Sequence, residues 1–199
     1  SGTLNMGISF NQAGIVTIDP SVALTTDGFD VVNITPTATQ TGLDIRTAAT
    51  TVINVSGVTN VTFDNTTTGA SLSATGMAGV LTATQTANLL SVTGGSGNDQ
   101  LTSTGTTTTA VVNGGDGNDT FNVGVVYVGT ATGGNGTDTL NVTAAVDLSG
   151  AAISGFQTVD INNFNVTLDE AVVNGQSVVI QSTGGGAETI TVNNILATT

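Results

Sequence analysis

Three near copies of one block recur along this 199-residue chain: TGGSGNDQLTS at 93–103, NGGDGNDTFNV at 113–123 and TGGNGTDTLNV at 132–142. Their glycine pairs begin at Gly94, Gly114 and Gly133, steps of 20 and 19 residues. A near-constant period of this length signals one small unit stacked on itself, and it limits the fold more than any other feature. Between the blocks lie STGTTTTAVV (103–112) and VGVVYVGTAT (123–132), each strand-like and each holding a glycine. The unit therefore reads turn, strand, turn, strand. Two strands and two turns in one period make one coil of a parallel β-solenoid, each coil resting on the last at the ~4.8 Å interstrand distance. Leu101, Phe121 and Leu140 then fall in one column that points inward. The expected fold class is all-β, a parallel β-solenoid of the β-roll or β-helix kind.

Composition agrees with strands. Thr is the commonest residue, and the apolar residues are mostly Val, Ile, Leu and Ala, which favours strand over helix. With 27 glycines and 2 prolines, tight turns are expected rather than a proline-rich linker or collagen. Residues 52–93 hold short alternating runs such as VINVSGVTNVTFDN and VLTATQT, broken every 8 to 12 residues by Gly or Asn. TATQT occurs at both 37–41 and 82–86, which reads as the trace of a duplication. From 142 to 196 the runs NVTAAVDLSG, QTVDINNFNVTL, QSVVIQS and ETITVNNIL continue the theme. The expected organisation is one elongated domain: an irregular β-rich part over 1–93, a β-roll over 94–141, and strands continuing the solenoid over 142–199. The opening Ser1-Gly2-Thr3 reads as a cut end, and neither a membrane span nor a signal peptide is legible.

The charges exclude several classes of function. Arg46 is the only base against 14 acidic residues, for a net charge of -13. Internal salt bridges therefore cannot neutralise the carboxylates. Nucleic acid needs a basic footprint that is missing here, and an acidic surface is repelled by anionic lipid, so neither partner nor membrane insertion is expected. Without His or Cys there is no nucleophile–base triad, disulfide or thiolate metal site. Arg46, in GLDIRTAA, reads as a surface residue, and the chain is not expected to be an enzyme. Thr-rich stretches at 35–41 and 106–109 raise ice or flat-surface binding as a weaker reading, which VVYV at 125–128 interrupts. Eight Asn-x-Ser/Thr sequons, at Asn33, Asn54, Asn60, Asn65, Asn118, Asn135, Asn141 and Asn165, barely exceed the chance expectation of about five.

The three blocks carry the chemistry. Each fits GGxGxDxUx, with U a large apolar residue: Gly94, Gly95, Gly97, Asp99, Leu101; then Gly114, Gly115, Gly117, Asp119, Phe121; then Gly133, Gly134, Gly136, Asp138, Leu140. At this chain's Gly and Asp frequencies, one GGxGxD arises by chance about 0.03 times, so three near-evenly spaced copies are no accident. Glycines let the backbone curl until several carbonyl oxygens face one point, and the aspartate adds a formal charge. Together they supply the hard oxygen ligands that calcium prefers. One turn gives half a shell, so stacked turns offer two sites, Asp99 with Asp119 and Asp119 with Asp138. Asp116 and Asn135, at the third variable position, either add a ligand or face solvent. The single 19–20 residue step places the metal turns on one side only. The partial echoes DGFDVV (27–32), TGLDI (41–45) and GGGAETI (184–190) lack the glycine set and read as turns alone.

Residues 94–141 resemble the RTX calcium-binding repeats of type I secreted bacterial proteins. A softer likeness extends through ISGFQTVDIN (153–162) and the base-poor, cysteine-free texture, which is similar to that of surface-layer proteins and large adhesins. The resemblance implies export through a C-terminal signal, an extracellular place at a bacterial cell surface, folding driven by Ca2+, and self-association with further copies. It also makes a cell-surface polysaccharide a conceivable partner. Few repeats, spaced singly, leave both a lattice component and an adhesin spacer open.

Overall fold

A computed structural model describes residues 5–10, 14–18, 31–45, 52–63, 70–85, 90–104, 110–173 and 177–193. Arg46, the threonines at 106–109, Asn65 and the start of DGFDVV lie outside these residues.

The chain is a parallel β-solenoid. Sheet one stacks β1 (Asn5–Phe10), β3 (Val31–Pro36), β5 (Val52–Gly57), β7 (Ser71–Met77), β9 (Ser91–Thr93), β11 (Val111–Asp116), β13 (Thr130–Asn135) and β16 (Ala152–Ser154) in that order. Facing it, sheet two stacks β2 (Gly14–Ile18), β4 (Gln40–Ile45), β6 (Val61–Phe63), β8 (Leu81–Gln85), β10 (Gln100–Ser103), β12 (Thr120–Val123), β14 (Thr139–Val142), β17 (Thr158–Asp160) and β19 (Val179–Gln181). The chain alternates between the sheets, so up to β14 each strand pairs in parallel with the strand two places away in sequence; β13, β14 and β15 then pair with β16, β17 and β18, three places on. A third sheet of β15 (Val146–Asp147), β18 (Val166–Asp169) and β20 (Ile190–Asn193) widens the last coils on one edge. No repeat announced it in the sequence. A 3-10 turn, Glu170–Val172, packs against β16, and Asp169 caps it by accepting from the Ala171 N–H.

Two-residue alternation explains the layers. In β12 and β14 every second residue is buried, so Phe121, Val123, Leu140 and Val142 face inward while Thr120, Asn122, Thr139 and Asn141 face out. Register then aligns like with like. Leu43, Phe63, Ala83, Leu101, Phe121, Leu140 and Val159 form one inward column, the one expected from Leu101, Phe121 and Leu140. Phe121 meets Tyr127 edge-on at 5.3 Å and stacks on Phe156 at 6.5 Å. Tyr127 is fully buried, its hydroxyl 2.7 Å from the carbonyls of both Ala110 and Thr130. This is why VVYV interrupts the threonine pattern: it rounds a corner with its aromatic ring in the core.

Three local expectations need correction. TGLDI lies within β4, where the pairing register shifts between Gln40 and Leu43, so it is an irregular strand rather than a turn. The two TATQT copies are not equivalent, because Gln40 stacks on Val61 and Leu81 whereas Gln85 pairs with Ser103. TPTATQT at 35–41 crosses from β3 to β4, so its threonines do not line a strand face. Threonines do align elsewhere, as Thr62, Thr82, Thr120, Thr139 and Thr158 share one outer column of sheet two with Gln100 among them.

Candidate metal centre

All three blocks sit at the edge where the chain passes from sheet one to sheet two. Each begins in or after a sheet-one strand and ends at the strand opposite. Its aspartate immediately precedes that second strand and takes the inward position that Val61 and Leu81 occupy in earlier coils. Asp99, Asp119 and Asp138 are therefore core residues, exposed by 1, 2 and 0%.

Hydrogen bonds tie them into a ladder. Asp99 Oδ1 accepts the Leu81 N–H at 2.7 Å, Asp119 Oδ1 the Asp99 N–H at 2.7 Å, and Asp138 Oδ1 the Asp119 N–H at 2.8 Å. The last N–H, of Asp138, finds the side-chain oxygen of Gln157 at 2.6 Å. Each carboxylate so takes the acceptor's place held by a backbone carbonyl in earlier coils, where the Gln40 and Val61 N–H groups donate to the Asn60 and Val80 oxygens. The second oxygens differ: Asp99 Oδ2 accepts the Gly95 N–H at 2.7 Å, while Asp119 Oδ2 and Asp138 Oδ2 are buried with no hydrogen-bond partner. Burial raises all three carboxyls, and the charges of Asp99, Asp138 and Asp116 add to it at Asp119, which reaches about 7.

The glycines make room for this. A Cβ on Gly114 would strike both the Gly133 carbonyl oxygen and Asp119 Oδ2, and one on Gly133 both the Gly155 carbonyl oxygen and Asp138 Oδ2. Gly94 faces the Gly114 carbonyl oxygen and Asp99 Oδ2 in the same way. At each step a carboxylate oxygen and a carbonyl oxygen of the next coil thus converge where any side chain would intrude. Gly115, Gly117, Gly134 and Gly136 adopt left-handed φ of +106° to +133°, which only glycine takes without strain. Gly95 and Gly97 do not, although all six lie against carbonyls of the preceding coil, Gly95 and Gly97 against those of Met77 and Gly79.

Asp116 and Asn135 stand apart. Both are exposed, paired side by side on the outer surface, with Asn135 Nδ2 donating to Asp116 Oδ1 at 2.8 Å. They face solvent rather than the acid column. Three residues outside the expected set belong to this edge. Asn98 and Asn118 accept the N–H of Asn118 and Thr137, linking successive turns on the outside. Gln157 ends the acid column, and its signal was the unbroken spacing, 19 residues beyond Asp138 and two after a glycine.

Among the described residues, no three of His, Cys, Asp and Glu gather around one point. Any ion here would draw on one or two carboxylates of the column and fill its shell with backbone carbonyls. The donor set is one that calcium accepts: hard oxygens, formal charge and no competing base. The unpartnered Asp119 and Asp138 oxygens and the convergence at Gly114 and Gly133 meet that requirement.

Comparison with protein-family models, with curated proteins and with solved structures finds no match to this chain. Among the described residues, no helix is long and apolar enough to cross a membrane.

Proposed function

We propose that this chain is an extracellular structural element of a bacterial surface layer, a rod closed and stiffened by calcium and associating with further copies of itself. The observation that carries the reading is the acid column: carboxylates stacked in a core, two with an unpartnered oxygen, in a chain with one base. A protein that only needed turns here would place Leu or Val at these positions, as the coils of Val61 and Leu81 do. Asp119 and Asp138, with the carbonyls beside Gly114 and Gly133, would hold the ion, and Asp99 begins the same column.

Bound calcium supplies charge neutralisation and nothing else to the chemistry. Where calcium is scarce, the stacked acids oppose closure of the coils, and where it is plentiful that opposition is removed. With a Kd of ~10⁻⁴ M, as for extracellular modules, and ~1 mM calcium, one site adds about 1.4 kcal/mol. Against a total stability of about 5–15 kcal/mol that is a working switch.

The alternative is a calcium-stiffened spacer of a large adhesin, favoured by the stacking of parallel coils into one continuous column. Electron microscopy of the purified chain with and without calcium separates the two. Ordered two-dimensional sheets that disperse in EGTA support the surface layer, and stiff monomers support the spacer. A melting temperature indifferent to calcium and EGTA refutes the metal-dependent rod itself.

A further inference from the structure

An asparagine followed by a glycine is a step at which a chain can modify itself. The backbone nitrogen of the glycine attacks the asparagine Cγ, since no β-carbon stands in its way and the glycine backbone swings freely. Ammonia leaves and a cyclic succinimide forms. Water then opens the ring, giving aspartate or the isomer in which the chain runs through the side chain. The only co-reactant is water. This chain holds three such steps, Asn113-Gly114, Asn135-Gly136 and Asn174-Gly175, the last of them outside the described residues.

The fold separates the other two. Asn113-Gly114 lies inside β11 with a strand on either side, for Asn113 pairs with Thr93 of β9 and with Thr132 of β13. Its carbonyl accepts the Gly94 N–H at 2.8 Å, and its side-chain oxygen accepts the Gly115 N–H at 3.2 Å. Gly114 is buried, with the Gly133 carbonyl oxygen and the Asp119 side chain filling the space where a β-carbon would stand. The ring cannot close there unless the coil parts from both neighbours.

Asn135-Gly136 lies at the C-terminal end of β13, and both residues are exposed. β11 pairs with β13 as far as Asn135, but β16 pairs with it only at Thr130, Ala131 and Thr132. The bonds of this step run toward the β11 side: the Gly117 N–H donates to the Asn135 carbonyl at 2.9 Å, and Asn135 Nδ2 to Asp116 Oδ1 at 2.8 Å. The strand that flanks Asn113 on its far side has no counterpart here, so the peptide can rotate toward the ring.

We infer that Asn135 is a site of spontaneous deamidation, and that its product places a second carboxylate beside Asp116. The bond from Nδ2 is lost, and like charges then face each other on neighbouring strands. The folded chain so gains negative charge with age at one point of its surface, on the edge that carries the acid column. The calcium-dependent reading above is not needed for this step.

Mass spectrometry of chain kept at mildly alkaline pH, folded in calcium or unfolded in concentrated urea, tests the inference. Chymotryptic cleavage after Leu101, Phe121, Tyr127 and Leu140 puts Asn113 and Asn135 in separate peptides, and fragmentation assigns the modified residue. In the folded chain Asn135 should react about tenfold faster than Asn113 or more, giving both isomers, because ring closure at Asn113 waits for local opening. In urea the two should react at similar rates. Similar rates in the folded chain would overturn the inference, as would an Asn135 that stays intact in the folded chain while both steps react in urea. No reaction at either step in urea would remove its chemical basis.

Discussion

Asp119 shows how burial converts a surface residue type into a stability switch. Its carboxyl is raised from 3.8 to about 7, by burial first and by neighbouring charges second. The folded chain therefore holds this proton more tightly than the unfolded chain. Stability from the protonated form is complete below pH ~3.8 and is lost as pH rises through about 7. At ~1.4 kcal/mol per pH unit the loss is about 4 kcal/mol, and Asp99 and Asp138 act in the same direction. Metal-free protein should melt on the order of 10 °C lower at pH 8 than at pH 5. Calcium should restore most of that at pH 8 and little at pH 5, because the cation and the proton compete for the same oxygens. A metal-free Tm that rises over this window would contradict the buried-acid geometry. Gln157 gives a second prediction. Gln157→Leu strands the buried N–H of Asp138 and should cost about 1–3 kcal/mol in urea unfolding, with or without calcium.

At the level of the element, the turn depends on small residues packed face to face between coils. Gly133→Ala drives a methyl into the Gly155 carbonyl and the Asp138 carboxylate, and should cost about 3 kcal/mol. Gly185→Ala, in the exposed loop before β20 where no atom lies within 4 Å, should stay within about 0.5 kcal/mol. Equilibrium unfolding of the two variants checks the contrast, and equal costs would show that glycine count rather than close approach matters. The opposite edge is built differently, with Tyr127 filling the corner. Tyr127→Phe keeps the ring against Phe121 but removes the hydroxyl that bridges the Ala110 and Thr130 carbonyls; the Ala110 oxygen keeps the Thr130 N–H at 3.2 Å, so the loss should be about 1 kcal/mol in equilibrium unfolding.

Across the whole molecule, each coil touches only its neighbours, so stabilisation applied at one coil decays along the stack. Hydrogen exchange with and without calcium should therefore show protection rising most at the turns and strands of 111–142. Smaller gains are expected in β9 and β17, and least in β3 and β5. A uniform gain along the chain would mean that the rod unfolds as a single unit. The two sheets also end differently among the described residues: β16, the last strand of sheet one, packs against a 3-10 turn, whereas β19 and β20 are the outermost strands of their sheets.

The solenoid itself was legible because a period of 19 to 20 residues fixes which residues stack, and alternation of two fixes which face inward; Leu101, Phe121 and Leu140 needed nothing more. The acid column was legible too, as Asp99, Asp119 and Asp138 recur at that same period. Their differences were not. Whether a carboxylate closes on its own turn, as Asp99 does through Gly95, or is left with an empty oxygen, as in Asp119 and Asp138, depends on the coil packed beneath and on glycine φ angles that identical motifs do not specify. Gln157, the third sheet and the corner filled by Tyr127 were hidden for the same reason. Local pattern dictates period and facing, while hydrogen-bond satisfaction inside a core is settled only when neighbouring coils meet.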